Sequence, residues 1–231
     1  QSLYCLFIIV VIKKEETMKK FYVTRNNKYH VRCYSINVTE EMKNSAYNFA
    51  KELIESDNQY TRLLPTTVRD LKGSDVKSKL EIQRTFIGKL GEIAFASLLK
   101  ELGKDFDAHQ MFTIYQGEDN VDSFDFCTKE KKTVDVKTGF RQIHKLLLVN
   151  EEQFNNNPKD YYVAVKLNAK DSEKQFTLVD LDSITEATIL GYADYAYLKN
   201  KCRVKNFGEG DAVFLEYNKL MRIDLLLTKF A

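Results

Sequence analysis

Asp125-Phe-Cys-Thr-Lys-Glu-Lys-Lys-Thr-Val-Asp135-Val-Lys137 is the stretch on which the fold turns. Its middle is a run of charge and its ends are apolar or alternating. It therefore reads as two short strands joined by a charged turn, with Asp125 on the first strand and Asp135 and Lys137 on the second. Side chains two apart on a strand share a face. Asp135 and Lys137 then point one way while Val134 and Val136 point the other, into a core. A carboxylate and an ammonium are thereby set side by side at one edge.

An acid-x-Lys triplet alone decides little, because the chain holds five: Glu41/Lys43, Asp70/Lys72, Asp75/Lys77, Glu130/Lys132 and Asp135/Lys137. The first opens an amphipathic helix, the next two sit in a polar segment around Gly73, and the fourth lies within the charged turn. Only Asp135/Lys137 combines strand alternation with a second acid on a neighbouring strand.

Upstream, Phe86, Leu90, Ile93, Ala94, Leu98 and Leu102 recur at helical spacing and predict a helix over 82–102 that ends at Gly103. Glu92 falls among these apolar residues, where a carboxylate is costly unless paired, hydrogen-bonded or metal-linked. Gly91 before it permits close approach of another backbone. Glu92 is thus either a salt-bridged residue at the edge of the stripe or part of a metal shell, and the acids downstream favour the second reading.

Asp125, Asp135 and Lys137, preceded by Gly91-Glu92 on a helix, resemble the signature of the PD-(D/E)-x-K nuclease superfamily. Phe124 stands where the signature has proline, and Asp122 competes for the place of the first acid. Asp125 is preferred because Asp-Phe starts an apolar strand, whereas Asp122-Ser lies in the preceding turn. The resemblance spans roughly residues 81–167. It implies an α/β fold with a central mixed β-sheet flanked by α-helices, restriction-endonuclease-like. It implies Mg²⁺, with Mn²⁺ as a substitute, held by Asp125, Asp135 and Glu92, and Lys137 beside Asp135 in the chemical step. A surface salt bridge between Asp135 and Lys137 is the competing, non-catalytic reading.

Such a site is chemically coherent. Mg²⁺ is a hard cation that takes oxygen ligands, one or two of them protein carboxylates, and needs neither His nor Cys. Two neighbouring carboxylates repel, so their proton affinities rise without a cation.

The 231 residues, 44% hydrophobic, suffice for one sizeable core. With 35 basic and 33 acidic side chains the net charge is +2, which gives no polybasic footprint, so any DNA groove has to be made locally. Cys5, Cys33, Cys127 and Cys202 have no C-x-x-C spacing, which argues against a zinc site or disulfide scaffold and for reduced thiols in the cytoplasm. The apolar run 3–12 is shorter than the roughly 20 residues of a membrane span. It also lacks signal-peptide flanks, so no membrane association is expected. Residues 1–17 read as an apolar tail of upstream or non-native origin, and 18–231 as a single nuclease-like domain.

The remaining pattern predicts a hairpin over 21–34 and a helix from an Asn37–Glu40 capping box. Residues 56–80 read as a solvated connection, with a DNA-contacting segment as the alternative, and Phe112–Tyr115, Lys145–Val149, Tyr161–Val165 and Phe176–Val179 as strands. Asn155–Pro158 reads as a turn. A strand running into a short helix is expected over 188–198, with Tyr192, Tyr195 and Tyr197 at the edge of the core or stacked on bases. A terminal hairpin is expected across Asn218-Lys219. The functional expectation is a Mg²⁺-dependent DNA endonuclease, a type II restriction-endonuclease-like homodimer. The alternatives are a structure-specific repair or recombination nuclease and a non-catalytic DNA-binding protein on the same fold.

Overall fold

The computed structural model describes residues 18–25, 29–55, 75–106, 111–114, 124–170, 178–208 and 210–230, with the backbone alone at 19–25, 29–32 and 75. The sheet is built outward from β4 (Thr133–Gly139), which follows the two-residue strand β3 (Phe126–Cys127) through the charged turn. β4 runs parallel to β6 (Tyr161–Leu167), in the register Asp135↔Tyr162 and Lys137↔Ala164. β6 is buried along nearly its whole length, as its unbroken apolar run requires of a strand covered on both faces. On its far side β7 (Glu186–Asp194) is antiparallel. β2 (Tyr29–Asn37) and then β1 (Met18–Arg25) continue the sheet, also antiparallel. The result is a mixed six-stranded sheet in the order β1-β2-β7-β6-β4-β3.

A parallel pair needs a crossover. Here it passes through β5 (Leu146–Asn150) and the short helix α3 (Glu151–Asn156), which number with α1 (Glu40–Glu55) and α2 (Asp75–Glu101). β5 pairs with β9 (Asp211–Glu216) and β9 with β8 (Arg203–Asn206), forming a second sheet of three strands. α4 (Tyr195–Lys201) and α5 (Ile223–Leu227) complete the helices of the described residues.

The two faces of the large sheet carry separate cores. Val134, Val136, Val163, Val165 and Ile189 pack with Phe86, Leu90, Phe95 and Leu98 of α2 in one apolar cluster. Tyr162, Ala164 and Ala193 pack with Leu147, Val149, Phe154, Leu198, Val213 and Leu215 in the other. The fold is therefore α/β, with a mixed sheet between a helical layer and a small sheet. Gly91 fixes how close the helical layer lies, since a Cβ there would collide with the Thr138 hydroxyl of β4.

Several expectations hold. The β1–β2 hairpin forms, β7 runs into α4, and α2 closes at Gly103. There φ is +63° and the Gly103 and Lys104 amides donate back to Lys100 and Leu99, a Schellman ending. Others are corrected. Asn37 belongs to β2, paired with Glu186, and the cap of α1 is Thr39, whose Oγ1 accepts from the Met42 amide at 3.2 Å. α2 begins at Asp75, because nothing from Asp75 to Ile87 is Gly or Pro to interrupt it. Phe112 lies in a turn and sets its ring edge-on to Phe49 at 6.1 Å. Thr138 and Gly139 are the last two residues of β4, and a Cβ at Gly139 would come within 2.5 Å of the Tyr217 hydroxyl.

Asn155 and Asn156 close α3 instead of forming a turn. Met221–Leu227 is no strand: Ile223, Leu226 and Leu227 are buried at helical spacing. Leu178 and Val179 are not in a strand, and β8 was not anticipated. The apolar run 3–12, most of the connection 56–80, Asp122 and Phe176 lie outside the described residues.

Candidate active site

Asp125 stands immediately before β3, and its amide donates to the Val134 carbonyl at 3.1 Å. Because β3 stops after two residues, the edge of β4 beyond Val134 has no strand alongside it among the described residues. The Asp125 carboxylate takes that place, and its Oδ2 accepts from the Val136 amide at 2.6 Å. Burial, then the negative charges of Glu92 and Asp135, push the Asp125 carboxyl well above the usual range; the Val136 amide and Lys137 oppose them. Three acids and one lysine thus act on a single point at the margin of the sheet.

Asp135 and Lys137 lie on the face opposite Val134, Val136 and Thr138, as alternation dictates. Asp135 is 7% exposed. Its Oδ2 is an ion-pair distance, 2.7 Å, from Lys137 Nζ, yet makes no aligned hydrogen bond, so the attraction is one of charge without directional pairing. Lys137 Nζ donates instead to Gln153 Oε1 on α3 at 3.2 Å. The Asn150 side chain caps α3 by accepting from the Gln153 amide at 2.9 Å, which ties that helix to the end of β5.

Glu92 comes from the helical layer. Its carboxylate meets Lys89 Nζ at 2.5 Å, one turn back on α2. Glu92 is thus ion-paired, as the first reading has it, and its negative charge also bears on Asp125.

Sequence reasoning missed Lys159 and Gln153. Lys159 is 3% exposed, and its ammonium donates to the Asn157 carbonyl at 2.6 Å. Burial pulls its pKa below the ordinary lysine value, and Lys137 adds to this, while Asp135 and Asp125 act against it. The register explains the convergence. Tyr162 lies beside Asp135 across the β4–β6 pair, and its hydroxyl accepts from the Lys159 amide at 2.9 Å. Burial, with a smaller contribution from the Asp135 charge, pushes the Tyr162 phenol up to about 12. Asp160 then anchors the start of β4 by accepting from the Thr133 amide at 2.9 Å and hydroxyl at 3.0 Å. Burial opposes its ionisation, yet these bonds and Lys132 hold its carboxyl below the usual value. No local motif marks Lys159 or Gln153, which join the site only through the crossover between parallel strands.

Among the described residues no three His, Cys, Asp or Glu side chains are grouped so as to hold a metal ion. Each acid is already engaged: Asp125 by a hydrogen bond from the Val136 amide, Asp135 by the charge of Lys137 and Glu92 by its ion pair with Lys89. The donor set still fits Mg²⁺, being oxygen only and including Asp135 Oδ2, a buried acceptor without an aligned donor. Binding would require Glu92 to turn from Lys89 and Asp135 to share its charge with a cation as well as with Lys137. Compared with family models, with curated proteins and with solved structures, the chain gives no match.

Proposed function

We propose that this protein is a Mg²⁺-dependent DNA endonuclease of the PD-(D/E)-x-K type, restriction-endonuclease-like and acting as a homodimer so that both strands are cut. The observation that carries this reading is that the Asp125 carboxylate is hydrogen-bonded to the Val136 amide, between Asp135 and Lys137, which lie 2.7 Å apart on the strand that pairs in parallel with β6. A surface salt bridge needs neither a buried Asp135 nor a second acid held against the backbone of the same strand.

Asp125 and Asp135, with Glu92, would hold Mg²⁺, which in such sites activates a water and neutralises charge on the scissile phosphate. The chain's own groups do the positioning. The Val136 amide fixes the Asp125 carboxylate, Gln153 fixes Lys137, and the Lys137 ammonium offers hydrogen bonds to the attacking water or to a phosphate oxygen. Lys159 adds a second positive charge from beneath, in a buried position where charge is weakly screened.

The test is incubation of the full chain with supercoiled and linear DNA, with Mg²⁺ and with chelator. Nicking or linearisation that needs Mg²⁺, abolished in Asp135→Ala, is the expected result. Mg²⁺ should also raise the melting temperature of the parent and not of Asp135→Ala, because a ligand that binds only the native state stabilises it. Discrete fragments indicate a sequence-specific enzyme, and preference for branched substrates a repair or recombination nuclease. DNA binding without cleavage in any divalent metal leaves a non-catalytic binder and ends the enzymatic reading.

A further inference from the structure

A net charge of +2 spreads too little positive potential to hold a polyanion, so the cations that matter have to be concentrated somewhere. One place satisfies this. From Tyr195 to Gly208 there are no acids and four cations, Lys199, Lys201, Arg203 and Lys205, at alternate positions, and all four are exposed. Some other surface lysines find acids, Lys132 with Asp160 at 3.0 Å and Lys219 with Glu216 at 3.0 Å, and exposed lysines outside ion pairs among the described residues, such as Lys100, Lys145 and Lys170, stand apart from one another in the chain. None of the four is in an ion pair among the described residues.

Strand register says which way two of them point. Arg203 lies opposite Phe214 and Lys205 opposite Ala212, whereas Val204 lies opposite Val213. Cross-strand partners share a face. Val213 and Leu215 belong to the buried cluster with Tyr162, so Arg203 and Lys205 face outward. The β5–β9 register adds Glu216 as the acid of that outer face, and Lys219 already neutralises it. Beneath Lys205 the Phe207 ring lies 5.5 Å away and meets Phe214 edge-on at 5.6 Å, an apolar floor that holds the cation up to solvent. β8 is also the outermost strand of its sheet, with no strand beyond it among the described residues.

Two ordinary explanations cover part of this. Lys199 and Lys201 suit the last turn of α4, where cations complement the helix dipole. Charge on an edge strand also discourages pairing with another chain. Neither accounts for the absence of unpaired acid from the outer face beside Arg203 and Lys205. The same small sheet packs by its inner face on Tyr162, the neighbour of Asp135, and α3 carries Gln153 to Lys137. Charge collected here is therefore one layer from the catalytic lysine.

We propose that the outer face of the small sheet at Arg203 and Lys205, with Lys199 and Lys201 on the adjoining helix α4, holds the phosphate backbone of duplex DNA during cleavage; this rests on the nuclease reading above. The contact is to phosphates and not to bases, because Tyr195 and Tyr197 pack against the inner core, Tyr195 with its ring 4.9 Å from that of Phe154. Phosphate contacts position a duplex without reading its sequence.

The experiment measures binding of the full chain to a duplex of random sequence by fluorescence anisotropy in chelator, over a salt series. The comparison is with the variant carrying Lys199→Gln, Lys201→Gln, Arg203→Gln and Lys205→Gln. Each lost phosphate contact flattens the slope of log K against log salt by roughly 0.9, so the fourfold variant should lose about 3.6 in slope. It should bind at least tenfold more weakly at low salt, and a control with Lys51→Gln and Lys100→Gln should keep the parent's slope. If the fourfold variant does not fold, Arg203→Gln with Lys205→Gln alone should cost about 2 in slope. Unchanged slope and affinity, with Mg²⁺-dependent cleavage intact in the parent, overturn the surface and leave the nuclease reading standing. A parent that neither binds nor cuts DNA removes both. Loss of binding to anionic phosphatidylserine vesicles with duplex binding unchanged assigns the patch to a lipid surface and overturns the proposal. Self-association of a variant that binds DNA normally assigns it to edge protection, with the same consequence.

Discussion

Two buried lysines, Lys89 in the helical layer and Lys159 beneath the sheet margin, are equally hidden at 4% and 3% exposed and are treated in opposite ways. Lys89 is fully compensated. It meets Glu92 and the Met111 carbonyl at 2.5 Å each, and the Phe49 and Phe112 rings lie 4.3 Å and 5.8 Å from its ammonium. Lys159 has one carbonyl partner and shares its surroundings with Lys137, a like charge. A buried charge is tolerated when paired and costly when it is not. The first region therefore stabilises the fold. The second carries a cost that Asp135 and Asp125 offset only in part, since the Lys159 pKa stays below the ordinary value.

The largest expected effect sharpens the second region. Lys137→Ala should lower DNA cleavage about 10²–10³-fold, the scale of one donor lost from a transition state, while metal and DNA binding persist. Measured turnover should fall without a proportional rise in the Michaelis constant, and cleavage at the parental rate would break the assignment. Next, Lys89→Met tests the first region. It leaves the Glu92 carboxylate without its partner in a largely buried place and should cost about 3 kcal/mol in urea unfolding. A loss below about 1 kcal/mol would mean that the clamp is dispensable.

Gly91→Ala probes the hinge between the regions. Its methyl group would collide with Thr138, so about 1–3 kcal/mol of stability should be lost, and Thr138→Ala in the same chain should restore part of it. No rescue would place the strain elsewhere.

The smallest effect breaks or keeps the comparison itself. Lys159→Met gives up one hydrogen bond and relieves a buried charge, so stability should change by no more than about 1 kcal/mol, upward if anything. Cleavage, by contrast, should fall at least tenfold. The sign with pH follows from the lowered pKa of Lys159. The native state of the parent binds this proton less readily than the unfolded chain, so the parent gains stability as pH rises from that lowered value towards the ordinary 10.5 or so. The cost is present in full below that window. Any advantage of Lys159→Met in thermal melts should accordingly shrink as pH approaches 10.5, and a constant difference would remove the linkage.

The β3–β4 hairpin, the opposite faces of Val134/Val136 and Asp135/Lys137, the α2 ending at Gly103 and the close approach at Gly91 were all legible in the chain. Each depends on neighbours within a few residues, where alternation, helical spacing and the freedom of glycine act directly. Terminal segments misled for the same reason. Ile223-Asp-Leu-Leu-Leu227 fits a strand as readily as a helix until burial shows Ile223, Leu226 and Leu227 on one side.

What the sequence by itself determined is the charge pattern and the local geometry: an acid and a lysine on one strand face, a second acid one turn away, and a glutamate stranded on an apolar helix. Only the tertiary structure decided that Lys159 and Gln153 belong beside them, that Glu92 pairs with Lys89 while its negative charge bears on Asp125, and that Arg203 and Lys205 share the outer face of the small sheet. The physical reason is that a parallel pair such as β4–β6 brings together residues more than twenty positions apart through a crossover. Nothing within a few residues of Lys159 records which carboxylates it will face; the register of Asp135 against Tyr162 does.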